Sequence, residues 1–280
     1  MGNSNEAVTQ AVREVVQTMM DRVMDKVLRT DPFIVEEHHA KKPLYAALVP
    51  DEIFKGSHFE RRFVTPFGSV WEKLAVQVAR YYHGHCEKGA SVEGTIGDES
   101  LRRIQEVLNN LEHRVQGHKR IVPNWEEELA YVRAGGGHPI PVSIVCDILV
   151  NSNRTHRTYA FELKAPLPNS DQTKVSKEKM FKLLALNEHL VTDAYYALVY
   201  NPFGKNRSDY AWTFPKRWFD MKSDPCVLIG EELWDLLGGK DTYSHFIYEI
   251  NKLGVAYKEQ IYREFLGIEP PEGFDKGILK

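Results

Sequence analysis

VSIVCDILV (142–150) and TYAFELK (158–164), separated by NSNRTHR (151–157), decide how this chain is read. The outer runs are rich in β-branched, aromatic and other apolar residues, and the link is polar, so they predict the two strands of a hairpin. Side chains alternate along a strand, which puts Glu162 and Lys164 on one face. A symmetrical link turns between Arg154 and Thr155, and reflection about that midpoint sets Asp147 opposite Glu162. Cross-strand partners share a face, so the three polar groups converge. An ordinary cross-strand ion pair would do the same on a solvated sheet. Here Ile144, Val145, Ile148, Leu149, Tyr159, Phe161 and Leu163 make both faces largely apolar, as in a sheet covered by helices. Charges inside such strands are the informative exception. Two carboxylates this close call for a cation. Hard oxygen ligands with an open coordination sphere suit Mg²⁺, which keeps waters and shares its sphere with phosphate oxygens. A lysine beside it can orient or activate a water and offset charge on a phosphate.

Outward from the hairpin, Val8, Val12, Val15, Val16, Met19, Met20, Val23 and Val27 follow helical spacing, and Asp31-Pro32 ends that helix. Residues 69–83 and 99–113 predict two more helices, and Gly135-Gly136-Gly137 with Pro139 and Pro141 predicts a loop. After the hairpin come a helix near 172–190, a strand at 194–200, a strand at 210–214 and helices near 230–237 and 242–266. This order predicts an α/β fold, a mixed central sheet flanked by helices with helical additions at both ends. No Pro-, Gly- or Ser-rich linker demands two independent domains. The expected organisation is a single domain, with an N-terminal helical segment (1–60), a core (61–222) and a C-terminal helical segment (223–280).

The 280 residues are 42% hydrophobic and 27% charged, which excludes disordered, collagen-like and coiled-coil chains. Three cysteines without a C-x-x-C pair predict a reducing compartment. No apolar run is long enough to span a bilayer, and MGNSNEAVTQ lacks the pattern of a secretory signal, so a soluble cytoplasmic protein is expected. The formal charge of −3 argues against indiscriminate coating of nucleic acid but allows a local basic surface. Zinc spacing, a P-loop and the G-x-S-x-G motif are all absent.

Asp147, fourteen intervening residues, then Glu162-Leu163-Lys164 resemble the active-site signature of PD-(D/E)xK nucleases. The segments 163–186, YNPFG (200–204) and IGEELWDLLGG (229–239) resemble type II restriction endonucleases of the TdeIII-like group. The likeness covers roughly residues 60–240; Cys146 stands where the signature name has proline. It implies a restriction-endonuclease-like core. It further implies Mg²⁺-dependent cleavage of double-stranded DNA at a GC-containing palindrome of the GGNCC type, leaving 5′-phosphate and 3′-hydroxyl ends. Asp147, Glu162 and the carbonyl of Leu163 would hold the metal, and Lys164 would position or deprotonate the water. Glu72 on the first core helix would join the site, although Ser69-x-x-Glu72 also reads as a helix capping box. A DNA methyltransferase is the implied system partner. Cutting both strands of a palindrome calls for a homodimer, with 5–29 or 242–266 as candidate surfaces. Alternative readings are a structure-specific repair or recombination nuclease of the same fold and a DNA-binding module without catalysis.

Residues 153–182 hold seven basic side chains against three acidic ones. Gln172, Lys174 and Lys177, with Lys179 and Lys182, are therefore candidates for phosphate contact, or else one solvated helix face. NPFGKNRSDYAWTFPKRW (201–218) offers Asn201, Lys205, Asn206 and Arg207 among aromatics, as a candidate base-reading loop or an ordinary exposed one.

Overall fold

A computed structural model of the chain describes residues 4–113, 115–116 and 119–276. Among these, the helices are α1 (Ser4–Ala11), α2 (Thr18–Asp25), α3 (Val35–Lys41), α4 (Pro43–Ala46), α5 (Asp51–Phe67), α6 (Val70–His83), α7 (Asp98–His113), α8 (Trp125–Arg133), α9 (Ser170–Leu184), α10 (Glu231–Gly238) and α11 (Thr242–Gln260). The strands are β1 (Gly84–Lys88), β2 (Ser91–Gly97), β3 (Val115–Gln116), β4 (Lys119–Arg120), β5 (Pro139–Val145), β6 (Ile148–Ser152), β7 (Thr158–Lys164), β8 (Asp193–Leu198) and β9 (Val227–Ile229). They divide between two compact units, Met1–Leu74 with Ser244–Lys280, and Ala75–Tyr243.

In the first unit, α1 and α2 are joined and extended by π-helical turns (Val12–Gln17 and Lys26–Thr30), and their valine and methionine stripe is buried as the spacing predicts. The run stops at Asp31, whose φ of −149° leaves the helical region before Pro32. Helices α3, α4 and α5 bury no residue at all. Leu44, Tyr45, Leu48, Ile53 and Val64 all stand exposed along this stretch.

The second unit is built on a mixed five-stranded sheet in the order β1-β6-β7-β8-β9. The β1–β6 and β6–β7 pairs are antiparallel, and the β7–β8 and β8–β9 pairs are parallel. The β6–β7 register pairs Ile148 with Phe161 and Val150 with Tyr159, so one step further brings Asp147 opposite Glu162, as the reflection predicts. Helix α9 is the crossover that parallel β7 and β8 require. It packs Met180, Phe181 and Leu184 into a core with Tyr196, Trp218 and Phe219; Trp125 of α8 stacks on Phe181 at 4.8 Å.

Three expectations change. The run 142–150 is not one strand: it breaks at Cys146–Asp147, leaving β5 and β6 in different sheets. Pro139 and Pro141 belong to β5 rather than to a loop. They sit two apart opposite Gly97 and Thr95 in a two-stranded ladder, where alternate N–H groups face outward and are not needed. Residues 210–214 form no strand; short 3₁₀ turns, Arg207–Asp209 and Phe214–Arg217, flank them, and the last sheet strand is β9. The glycine-rich stretch before α7 contains β1 and β2.

Registers of β1·β6 and β2·β5 are the same. Gly84 pairs with Ser152 and Lys88 with Ile148, then Ser91 with Val145 and Gly97 with Pro139. The two strand pairs are thus one long antiparallel ladder bent in the middle. At the bend Gly89 N–H donates to the Asp147 carbonyl at 2.9 Å and Cys146 N–H to the Ala90 carbonyl at 3.1 Å. Gly89 has φ +61°, a conformation costly to a residue with a Cβ. At the bend Asp147 keeps its carbonyl in the ladder, while its side chain reaches the Leu163 N–H and the Lys164 ammonium of β7.

Candidate active site

Glu162 lies mid-strand in β7 with its side chain only 2% exposed, between Phe161 and Leu163. Two residues on, Lys164 emerges at the strand end on the same face. Its ammonium donates to Asp147 Oδ2 at 2.7 Å, to Glu162 Oε2 at 3.2 Å and to the Leu163 carbonyl at 3.2 Å. The Leu163 N–H also donates to Asp147 Oδ2, at 2.8 Å. Four predicted groups therefore meet around one point, the Lys164 nitrogen. Burial pulls the Lys164 ammonium down, but the charges of Glu162 and Asp147 outweigh it and hold the group above the ordinary lysine range. Lys164 is a firm cation here.

Two further side chains, from α9, reach Glu162. Ser176 Oγ donates to Oε2 at 3.1 Å and Lys179 Nζ to Oε1 at 3.0 Å. Sequence reading assigned Lys179 to the basic face and passed over Ser176. Their i, i+3 spacing marks one helix face, but which strand residue lies beneath it depends on packing.

The residues fit a magnesium ion. Asp147 and Glu162 converge closely enough to share one ammonium, so a metal ion could be shared between them. Mg²⁺ is commonly held by one or two carboxylates, with waters and substrate phosphates completing the sphere. Among the described residues no group of three or more His, Cys, Asp or Glu converges. Glu72 is half-buried in the first turn of α6 and belongs to the first unit, whereas the triad belongs to the second. Ser69 Oγ donates to the Pro66 carbonyl at 3.1 Å. All three cysteines are buried and free. Burial pushes the Cys86 and Cys146 thiols up to about 12, which suits inert packing rather than nucleophilic chemistry.

The α9 lysines are not a free basic stripe, because each has a carboxylate partner. Lys174 pairs with Glu112, with its ammonium 5.7 Å from the centre of the Trp218 ring. Lys179 pairs with Glu162, and Lys182 with Glu178 at 2.7 Å. Lys177 overturns its assignment as a DNA contact: it is 0% exposed and pairs with Glu128 at 2.5 Å. It also donates to the Trp218 carbonyl and is boxed by Trp125, Phe181 and Phe219. The sequence held the signal, since Lys177 falls on the same helical stripe as Thr173, Met180, Phe181 and Leu184. Gln172 stays exposed in the first turn of α9, its N–H donating to the Asn169 cap at 2.8 Å.

In the 201–218 segment most candidates build the loop itself. Asn201 Nδ2 donates to the Asn206 carbonyl at 2.8 Å while its Oδ1 accepts from Phe203 N–H, and Asn206 forms a capping box with Asp209. Arg207 is largely buried, donating to the carbonyls of Met221 and Asp224. Lys205 alone of the four candidates is a fully exposed cation. The segment is strapped to the β7–α9 connection: Tyr210 OH donates to the Pro166 carbonyl and Trp212 Nε1 to that of Pro168, each at 2.8 Å.

A carboxylate pair gripping a lysine, at the ends of β-strands in an α/β unit, is the equipment of a metal-assisted phosphodiester hydrolase. Comparison with known proteins narrows this. A family model described as type II restriction endonuclease, HinfI, matches residues 8–254. The chain is 27% identical over 229 residues to the type II restriction enzyme HgiCII of Herpetosiphon aurantiacus, covering 80% of this chain and 82% of the relative. It is 23% identical over 234 residues to HgiBI of the same organism, covering 80% and 81%. The chain belongs to the HinfI family of type II restriction endonucleases and is a site-specific deoxyribonuclease.

Proposed function

We propose that the protein is a Mg²⁺-dependent endonuclease of the PD-(D/E)xK type, allied to the TdeIII-like group. It acts on double-stranded DNA in the cytoplasm at a GC-containing palindrome of the GGNCC type. The observation that carries this reading is the convergence of Asp147 and Glu162 on the Lys164 ammonium. Asp147, Glu162 and the Leu163 carbonyl would hold Mg²⁺, which when bound supplies Lewis acidity toward the scissile phosphate. Lys164, a cation with fixed donor directions, holds the attacking water in line with phosphorus and offsets charge on the phosphate. Cleavage of the P–O3′ bond leaves 5′-phosphate and 3′-hydroxyl ends. Glu72 is a further candidate at the metal. Gln172, Lys205 and Asn206 are the exposed candidates for DNA contact, and Lys174 is half-buried.

Two cuts across a palindrome call for a homodimer. Exposed Leu44, Tyr45, Leu48, Ile53 and Val64 offer apolar surface for a second copy. A DNA methyltransferase protecting the same site completes the system.

The test is digestion of unmethylated phage and plasmid DNA with Mg²⁺ and with EDTA, followed by sequencing of the ends. Discrete EDTA-sensitive fragments with 5′-phosphates are expected, and light scattering should give twice the chain mass. A smear on every DNA would favour a structure-specific nuclease, and binding without cleavage a non-catalytic module.

A further inference from the structure

Lys179 differs from its neighbours on α9. Lys182 pairs with Glu178 of its own helix, and Lys177 is sealed in the core. Lys179, 30% exposed, instead reaches across to β7 and takes Glu162 Oε1 at 3.0 Å. Oε2 of the same carboxylate is held by Ser176 at 3.1 Å and by Lys164 at 3.2 Å. Both oxygens of a carboxylate 2% exposed are thus pinned by donors from two elements, one a strand and one a helix. The cluster holds two carboxylates, Asp147 and Glu162, and two ammonium groups, Lys164 and Lys179, so its formal charge is zero.

We propose that Lys179 is a positioning residue of the nuclease site: it fixes the plane of Glu162 and restrains the charge that carboxylate offers to the metal. The proposal rests on the metal-site reading of Asp147 and Glu162 above. Lys164 alone would leave the cluster with one negative charge in excess and Oε1 without its donor. A divalent cation would then bind more tightly, because nothing competes for Oε1. The carboxylate would nonetheless be free to rotate away from the geometry that cleavage needs. Tighter metal binding with slower cleavage is a pairing that a merely structural lysine does not produce.

The experiment compares wild type, Lys179→Met, Lys179→Gln, Lys179→Arg and, as a surface control, the exposed Lys240→Met. Mn²⁺ binding is measured by calorimetry without DNA, and cleavage of unmodified phage DNA is measured at saturating Mg²⁺. Lys179→Met should bind Mn²⁺ roughly fivefold more tightly, the scale of one partly exposed charge pair. Its cleavage should slow about 10- to 100-fold, the usual effect of removing a group that orients a metal ligand. Lys179→Arg should recover most of the rate, and Lys240→Met should match wild type. Lys179→Gln keeps a donor without charge and answers the question should the methionine variant fail to fold. Unchanged Mn²⁺ affinity and unchanged rate in an otherwise active enzyme would overturn the proposal. Weaker DNA binding with an unchanged rate at saturation would also overturn it, making Lys179 a phosphate contact. Wild-type protein that neither binds Mn²⁺ nor cleaves DNA would instead take down the metal-nuclease reading itself, and the proposal with it.

Discussion

Two lysine–carboxylate clusters lie within the same unit, and they have opposite fates. Around Lys164, two carboxylates meet an ammonium that is 18% exposed, with Lys179 as a second cation, and Lys164 is held above its ordinary range. Around Lys177, burial is complete, aromatic rings form the walls, and the ammonium falls below its ordinary range despite Glu128. Burial likewise pushes Glu128 up. The difference lies in openness and in the number of carboxylates. A cluster with two carboxylates and a path to solvent can exchange a proton-bearing donor for a metal and a phosphate. A sealed pair with one carboxylate ties helices together and does nothing else.

Lys164→Met and Lys177→Met should therefore fail in different ways. Lys164→Met should fold and lose cleavage by about a hundredfold to a thousandfold, the scale of losing a preorganised charge at a reacting phosphate; single-turnover kinetics measures it. Near-wild-type cleavage would erase the distinction between the clusters. Lys177→Met leaves Glu128 buried without its partner and should cost about 3 to 5 kcal/mol in denaturant unfolding. Adding Glu128→Leu should restore much of that stability, and the rate per folded molecule should stay near wild type.

The bend that presents Asp147 gives a smaller effect. Gly89→Ala places a Cβ in open space but at φ +61°, so the cost is backbone strain alone, about 1 kcal/mol. Because Gly89 N–H holds the Asp147 carbonyl, cleavage should slow modestly too. An alanine variant with unchanged stability would remove the bend from the argument.

The smallest effect is a pH slope from a third buried group. His83 is held neutral by burial, below the ordinary histidine range. Its Nε2–H donates to the Leu236 carbonyl at 2.9 Å, leaving Nδ1 to accept from Ser152 Oγ at 2.8 Å. The unfolded chain takes up a proton more readily below pH 6.5, so the stability from His83 is present above 6.5 and is lost as pH falls. Thermal melts between pH 8 and 5 should show this slope in wild type and a shallower one in His83→Gln.

Much of the site was legible because it is local. A polar link between two apolar runs fixes the register of Asp147 against Glu162, and alternation fixes Lys164. The basic patch was misread because its partners are distant in sequence: Glu112 from α7 and Glu128 from α8 neutralise Lys174 and Lys177, and counting charges in a window cannot see them. The split at Cys146–Asp147 was hidden for a similar reason. No glycine or proline between Val142 and Val150 marks a break, and the bend is set by Gly89 on the partner strand. Arg207 looked like a DNA reader because arginine suits guanine edges, yet the carbonyls of Met221 and Asp224 claim it first.

The central claim is that Asp147, at the bend, and Glu162 make a metal-dependent cleavage site. Asp147→Asn tests it most directly, with duplex binding measured in Ca²⁺ and cleavage of the same duplex measured in Mg²⁺. The account predicts a folded variant that binds the duplex within a few-fold of wild type and leaves it uncut where wild type gives discrete fragments. Cleavage by Asp147→Asn at the wild-type rate would contradict it.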